Sequence, residues 1–303
     1  MTTPNGTTRS GYVAIVGRPN VGKSTLLNRL IGQKIAITTP KPQTTRHRIL
    51  GINTVGGDQI VYVDTPGIHL NAKKALNKQL NRTATGTLSE VDVVVFVIEA
   101  LRWTEEDDLV LSKLAEVKAP VVLAVNKIDK FRDKGELLPF LAKVGGKREF
   151  AAVVPLSARK GENVSPLERE ILPLMPEGTP MFPEDQVTDR SQRFIAAELV
   201  REKLMRVLEK ELPYSLTVEI EKFDWDSEND RYEIAALIWV ERDSQKAIVI
   251  GKGGAALKEV GKQSRIDMQR IFDQRVHLQL WVKVKEGWSD DERALKSLGY
   301  DEL

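Results

Sequence analysis

Short apolar, β-branched runs at residues 12–16, 60–63, 91–98, 121–125 and 151–155 alternate with charged, helix-favouring stretches such as 105–117 and 134–144. Continuous apolar strands of this length are buried on both faces, so the alternation predicts a parallel sheet with helices on each side. One pair departs from it. Residues 48–55 and 59–64 are joined only by Gly56, Gly57 and Asp58. That connection is too short for a crossover and predicts a hairpin, with one antiparallel edge strand. Farther on, Pro173, Pro176, Gly178, Pro180 and Pro183 erase any period, which predicts an irregular connection up to Arg190. The remainder reads helix, strand, strand, helix, helix, strand, helix. Phe194, Ala197, Val200, Leu204, Val207 and Leu208 fall on one helical face. Tyr232, Ile234, Ala236, Ile238 and Val240 alternate as a half-buried strand does, and so do Val276, Leu278, Leu280, Val282 and Val284. Ser289 with Glu292 predicts a capping box, and Gly299 the end of the last helix. The expected organisation is a disordered 1–10, a first domain over 11–175, a linker over 176–190 and a second domain over 191–303.

Composition narrows the classes. A length of 303 residues suits two domains, and 41% hydrophobic with 29% charged residues suits a folded chain. There is no Cys, so disulfides and thiolate chemistry are excluded, and the three His residues (His47, His69, His277) lack ligand spacing. The polar opening MTTPNGTTRS lacks a signal peptide's apolar stretch, and no run is long enough to span a bilayer. A cytoplasmic protein is expected. The net charge of +2 is unevenly spread: residues 246–285 hold six Lys and three Arg against Glu259, Asp267 and Asp273. A local basic segment in an otherwise mildly acidic chain is what a phosphate backbone would meet, although a solvated face has the same composition.

Residues 17–24, Gly-Arg-Pro-Asn-Val-Gly-Lys-Ser, match G-x-x-x-x-G-K-[ST] between a strand and a helical run, the context the motif requires. Gly17 and Gly22 let backbone N–H groups of Asn20, Val21 and their neighbours turn toward phosphate oxygens, and the helix entered at Thr25 adds positive potential. Lys23 would place its ammonium at the β- and γ-phosphates, and Ser24 would ligate Mg2+. Asn126-Lys127-Ile128-Asp129 follows the strand at 121–125. The Asp129 carboxylate can accept from the ring N–H and the amine of guanine, whereas adenine would leave it unpaired. Lys127 can cover the ring, Asn126 can tie this loop to the phosphate loop, and Ser157-Ala158 can offer N–H groups to the guanine oxygen. Asp64-Thr65-Pro66-Gly67 closes the strand at 60–63; Asp64 can hold Mg2+ through water and the Gly67 N–H can meet the γ-phosphate. Thr44 and Thr45 lie in a polar loop, and Thr45 is the preferred third contributor to the metal shell.

These four elements, in this order, resemble the translation-factor-like GTPases and, within them, the TrmE–Era–EngA branch. The phosphate loop and Gln43-Thr-Thr-Arg46 are most similar to its Era family. The resemblance implies a switch in which GTP holds the loops around Thr45 and Gly67 and hydrolysis to GDP releases them, with Lys23, Thr45 and Gly67 at the reacting phosphate. Where Ras-like enzymes carry a water-orienting glutamine, this chain has Ile68, which predicts slow intrinsic hydrolysis with water positioned by backbone or a partner. In related GTPases an asparagine matching Asn20 helps bind K+.

Gly251-Lys252-Gly253-Gly254 lies between helical segments in the order helix–strand–strand–helix–helix–strand, the type II KH arrangement, whose G-x-x-G loop clamps single-stranded nucleic acid. Lys258, Lys262 and Arg265 follow on successive turns and can extend the electrostatic track. Trp281 and Lys283 point to the outer face of their strand; a base can stack there, but Trp281 is expected to pack under a helix. The expected fold is thus an α/β P-loop GTPase domain, mostly parallel with one antiparallel edge strand, followed by an α+β type II KH domain. The Era family carries such a KH domain, and residues 287–300 resemble its C-terminus. The resemblance implies a monomeric GTPase that binds single-stranded RNA at the 3′ end of 16S rRNA and acts in assembly of the small (30S) ribosomal subunit. It also implies partial, peripheral contact with the inner membrane. Two alternatives differ in class: an RNA-binding factor that senses GTP with little turnover, and a membrane-associated signalling GTPase.

Overall fold

The computed structural model describes residues 7–67, 80, 83–84, 86–131, 135–208, 215–291 and 295. The N-terminal half runs β1 (Ser10–Val16), α1 (Lys23–Ile31), β2 (Ile49–Val55), β3 (Asp58–Asp64), β4 (Val93–Glu99), α2 (Glu105–Leu114), β5 (Val121–Asn126), α3 (Leu137–Gly145), β6 (Ala152–Pro155) and α4 (Val164–Ile171). The strand order is β2-β3-β1-β4-β5-β6. Every neighbouring pair is parallel except β2–β3. The hairpin turn is Gly56-Gly57 with φ of 61° and 94°, a two-residue geometry that needs positive φ at both positions.

The period-2 alternation of β4 explains why the whole strand is buried. Val93, Val95 and Val97 join Ile15, Leu26 and Leu167 in a core on one face of the sheet. Val94, Phe96 and Ile98 join Val16, Val110 and Leu123 on the other. With helices on both faces, the loops after β1, β3, β5 and β6 gather at the carboxyl edge, where an open α/β sheet binds ligands.

The C-terminal half runs α5 (Gln192–Val207), β7 (Leu216–Asp226), β8 (Arg231–Val240), α6 (Asp243–Ile250), α7 (Ala255–Phe272) and β9 (Val276–Val284). Its sheet order is β7-β8-β9, antiparallel then parallel. Leu199 and Val200 of α5, Val249 of α6, and Val260 and Met268 of α7 cover one face of this sheet around Ile234, Ile238 and Val282.

Two expectations need correction. Val207 does not join the buried face of α5 and is 45% exposed, while Ala196 and Leu199 are buried in its place. Among the described residues no helix covers Trp281: α5, α6 and α7 pack on the opposite face, and it is 45% exposed. The Ser289 hydroxyl donates to Glu241 Oε1 at 2.5 Å, while Glu292 and Gly299 lie outside the described residues. The stretch 176–190 has no helix or strand of its own, yet it is laid along the sheet edge. Ile52 N–H donates to Val187 O at 2.9 Å, Leu50 N–H to Asp189 Oδ1 at 3.1 Å, and Gln59 Oε1 accepts from the Met181 and Phe182 N–H groups.

Candidate nucleotide site, RNA groove and their junction

The phosphate loop turns directly from β1 into α1. Gly22 has φ of 104°, and a Cβ there would sit 2.4 Å from Asn126 Nδ2, so only glycine lets Asn126 reach across. Asn126 Nδ2 donates to Val21 O at 2.8 Å, and its Oδ1 accepts from Lys127 N–H at 2.7 Å and Ala158 N–H at 3.0 Å. One side chain thereby joins three loops. Lys23 Nζ is buried and donates to Gly17 O at 2.9 Å and Arg18 O at 3.0 Å. Burial lowers its pKa to about 8, against the opposing charge of Asp64. An ammonium buried among carbonyl dipoles is placed to meet an anion.

Three oxygens converge beside it. Ser24 Oγ donates to Asp64 Oδ2 at 2.6 Å and lies 2.7 Å from Thr45 Oγ1, which is 3.4 Å from the same carboxylate oxygen. Burial raises the Asp64 pKa to about 6, with the Ser24 hydrogen bond and the Lys23 charge opposing it. Asp64 Oδ1 is buried without a hydrogen-bond partner among the described residues. Two hydroxyls and a half-satisfied buried carboxylate form a hard-oxygen donor set that fits Mg2+. Thr44 turns away, to Thr39 Oγ1 at 2.6 Å and Lys41 O at 2.7 Å. Gly67 lies over Pro19, where a Cβ would meet ring and backbone atoms at 3.0–3.1 Å. Ile68 lies outside the described residues.

At the base end, Lys127 adopts φ of 68°, and its Nζ donates to Asn20 O at 2.6 Å. Ser157 Oγ donates to Asp129 Oδ1 at 2.7 Å. The sequence reading missed Glu99. This buried carboxylate at the end of β4 holds Arg18 at 3.2 Å, Lys127 at 3.2 Å and Lys130 at 2.6 Å. Burial alone would raise its pKa, but the bonds and charges of Lys130 and Lys127 outweigh it and hold the carboxyl at about 2. The signal was available: Glu99 is the one charged residue in VVVFVIE.

Gly251 at φ 73°, Gly253 at φ 58° and Gly254 at φ 79° form the loop between α6 and α7. Beside it, a groove of about 730 Å³ is lined by Gly254, Lys258, Lys262 and Arg265 of the loop and α7, with Glu259 the one carboxylate among them, and by Leu278 and Leu280 of β9. A basic wall facing an apolar wall is suited to a single strand, with phosphates on one side and bases on the other.

The two candidate sites meet at α5, whose charged face is buried too. Glu202, with no exposed surface, accepts Thr38 N–H at 3.0 Å and pairs with Lys34 at 2.6 Å, Arg206 at 3.0 Å and Lys203 at 3.2 Å. Arg206 also donates to Thr38 O at 3.0 Å. Arg201, held by Glu198 at 2.6 Å, donates to Thr44 O, and Lys41 Nζ donates to Leu208 O. Arg46 donates to Leu216 O at 2.8 Å. Lys34 and Lys203 both pair with Asp267 on α7. The loop that carries Thr45 is therefore bonded through Thr38, Lys41 and Thr44 to α5 and Leu208, and Lys34 and Lys203 tie this junction to α7, which lines the candidate groove.

Comparison with known proteins agrees with both halves. Residues 12–127 match the family model described as 50S ribosome-binding GTPase, and residues 211–289 match the KH domain model. The chain is 56% identical over 299 residues to GTPase Era of Pasteurella multocida, covering 99% of this chain and 97% of the relative. It is also 56% identical over 293 residues to GTPase Era of Haemophilus influenzae, with 97% of each chain covered. Among solved structures, an Aquifex aeolicus Era variant bound to GDP·AlF4− superposes with a TM-score of 0.93 at 40% identity, covering 97% of this chain and 99% of that one. An Era complex with MgGDPNP and nucleotides 1506–1542 of 16S ribosomal RNA gives the same TM-score, identity and coverage. No helix among the described residues is long and apolar enough to cross a membrane.

Proposed function

We propose that this chain, which belongs to the Era family of GTPases, hydrolyses GTP at the 17–24 loop while its KH domain holds single-stranded RNA, each site sensing the other through α5. In this reading Gly17, Asn20, Val21, Gly22, Thr25 and the Gly67 N–H cradle the phosphates, and Lys23 stabilises charge developing on the β–γ bridge. Asn126, Lys127, Asp129, Ser157 and Ala158 select guanine. Ser24 and Thr45 would ligate Mg2+ and Asp64 would hold it through water; bound there, the ion neutralises charge on the β- and γ-phosphates. The Asn20 side chain is exposed at the loop, and an oxygen ligand there suits K+. Faster turnover in potassium than in sodium at equal ionic strength is the expected result; equal rates would remove potassium from the scheme.

The RNA partner is taken from the relative crystallised with 16S nucleotides 1506–1542. By that likeness the groove of this chain takes the 3′ end of 16S rRNA; a role in assembly of the small (30S) subunit rests on the family resemblance. Cytoplasmic residence, a monomeric state and peripheral membrane contact rest on the family resemblance, and pelleting with anionic liposomes at physiological salt tests the last. The observation that carries the coupling is the pair of bonds made by one loop: Thr45 Oγ1 lies 2.7 Å from Ser24 Oγ, and Thr38 N–H donates to Glu202.

The test is affinity for a 16S 3′-end oligonucleotide, measured in GDP and in a non-hydrolysable GTP analogue. The wild type is expected to show a difference of about 5–150-fold between the two, the usual range of allosteric coupling. A Lys252→Asp, Gly253→Asp variant places carboxylates where phosphates should lie. The Gly253 position is open within 4 Å and Asp tolerates its positive φ, so the loop accommodates the change. Affinity should fall about tenfold or more in both nucleotide states. Glu202→Gln should leave the tighter affinity nearly intact and shrink the nucleotide dependence, because Lys34 and Lys203 then keep only Asp267 as a carboxylate partner and Arg206 keeps none among the described residues. Wild-type binding that ignores nucleotide would leave two independent modules and end the coupling proposal.

A further inference from the structure

The outer face of the second sheet takes no part in the functions above. Along β9 the side chains alternate: Leu278 and Leu280 line the groove with α7, whereas Trp281 stands on the opposite face, nearly half exposed. Parallel register sets Trp281 beside Leu237 and Lys283 beside Trp239. The Trp239 indole N–H donates to Glu219 Oε2 at 2.9 Å, which fixes the ring. The ammonium groups of Lys283 and Lys285 lie 5.9 and 5.8 Å from its centroid. Lys283 has one exposed carboxylate near it, Glu221 at 3.5 Å. Lys285 makes no ion pair among the described residues. An open indole and two cations therefore share one surface. Among the described residues β9 pairs with β8 alone, so its other edge carries no strand. The groove and the outer face are separated there by a single strand, about 5 Å across.

We propose that this face is a second RNA-contact surface: a single strand leaving the groove passes round the edge of β9, stacks a base on Trp281 and sets phosphates against Lys283 and Lys285. The chemistry is that of other sheet-borne RNA sites, in which aromatic rings on an open sheet stack unpaired bases while nearby cations meet the backbone. Continuity with the groove favours RNA over a protein partner, since Leu280 and Trp281 are adjacent residues on opposite sides of one strand. The proposal rests on the groove being an RNA site.

The experiment compares two oligonucleotides on the full chain: one of about four nucleotides, the length a KH groove clamps, and one extended by about eight nucleotides on either side. Trp281→Ala should leave the short oligonucleotide's affinity unchanged and weaken the extended one about 5–100-fold, with Trp281→Phe recovering most of the loss. Lys283→Ala with Lys285→Ala should weaken the extended one alone and flatten its salt dependence. An extended oligonucleotide carrying bromouridine outside the groove segment should photocrosslink to Trp281. Equal behaviour of wild type and Trp281→Ala on both lengths would overturn the proposal, and so would equal losses on both. If loss of Trp281 spares both RNAs but abolishes binding to the small subunit, the face belongs to a protein. Failure of the wild type to bind either length would instead defeat the groove reading, and this surface with it.

Discussion

Lys23→Ala is expected to reduce GTP turnover by about a hundred- to a thousandfold, the usual cost of removing one preorganised charge from a transition state. The expectation follows from where the ammonium is kept. Nζ is buried and donates to two carbonyl oxygens, Gly17 O and Arg18 O, so the phosphate loop itself aims it. Burial already pulls its pKa down to about 8, and the charge of Asp64 partly restores it. A phosphate anion would restore it further, so the ammonium gains most when negative charge peaks between the β- and γ-phosphates. The substitution acts on Asp64 as well: without the Lys23 charge, one of the groups holding down a carboxyl already raised to about 6 is lost, and the proposed metal shell weakens with it. Single-turnover phosphate release at saturating GTP isolates this effect from nucleotide affinity. Lys23→Met keeps the side-chain volume and guards against a packing artefact, and a melting curve confirms the fold. A loss under tenfold in both variants would place the developing charge somewhere other than at Nζ.

The reach of the sequence was set by how local each signal is. The six strands and the one that is reversed follow from apolar runs and a Gly-Gly turn, both contained in short windows, whereas their order across the sheet was not read. The phosphate loop, Asp64 and the 126–129 loop were legible for the same reason: each is a motif at the end of a strand, and the sheet brings those ends together. The division between Thr44 and Thr45 was harder, because both are threonines in one polar loop; what separates them in the fold is that Thr44 Oγ1 bonds Thr39 and Lys41. The junction was not legible at all. Hydrophobic period marked the core side of α5, and a run containing Glu198, Arg201, Glu202, Lys203 and Arg206 reads as its solvated side. Its partners are Lys34, Thr38 and Thr44, more than 150 positions earlier in the chain. Nothing in a local window reports a partner at that distance, so a face buried in a polar interface looks like a face in water. Val207 and Trp281 failed in the opposite direction: apolar side chains were assigned to packing, while the helices covered only one side of the sheet.

Asp129→Asn should lower guanine nucleotide affinity by about a hundredfold or more and transfer the preference to xanthine nucleotides, since a site built on hydrogen bonds rejects a ligand that leaves them unmade. Ser157 decides the direction of this change. Its hydroxyl donates to Asp129 Oδ1 at 2.7 Å, and Ser157 itself is buried. An asparagine at this position keeps that bond only by presenting its amide oxygen to Ser157. The amide N–H2 then occupies the place of Oδ2 and meets the exocyclic amine of guanine, donor against donor. Xanthine carries a carbonyl oxygen where guanine has that amine, so the same N–H2 finds an acceptor. The remaining supports of the base loop are untouched: Asn126 still bonds Val21 O and Ala158 N–H, and Lys127 still bonds Asn20 O. Phosphate contacts and turnover of the bound xanthosine triphosphate should therefore stay within a few-fold of the wild-type rate with GTP, which separates base selection from chemistry. Titration of GDP and xanthosine diphosphate against both proteins reads the exchange directly. A GDP affinity within threefold of wild type would mean that the base is selected by the backbone of Ser157 and Ala158 and not by the carboxylate.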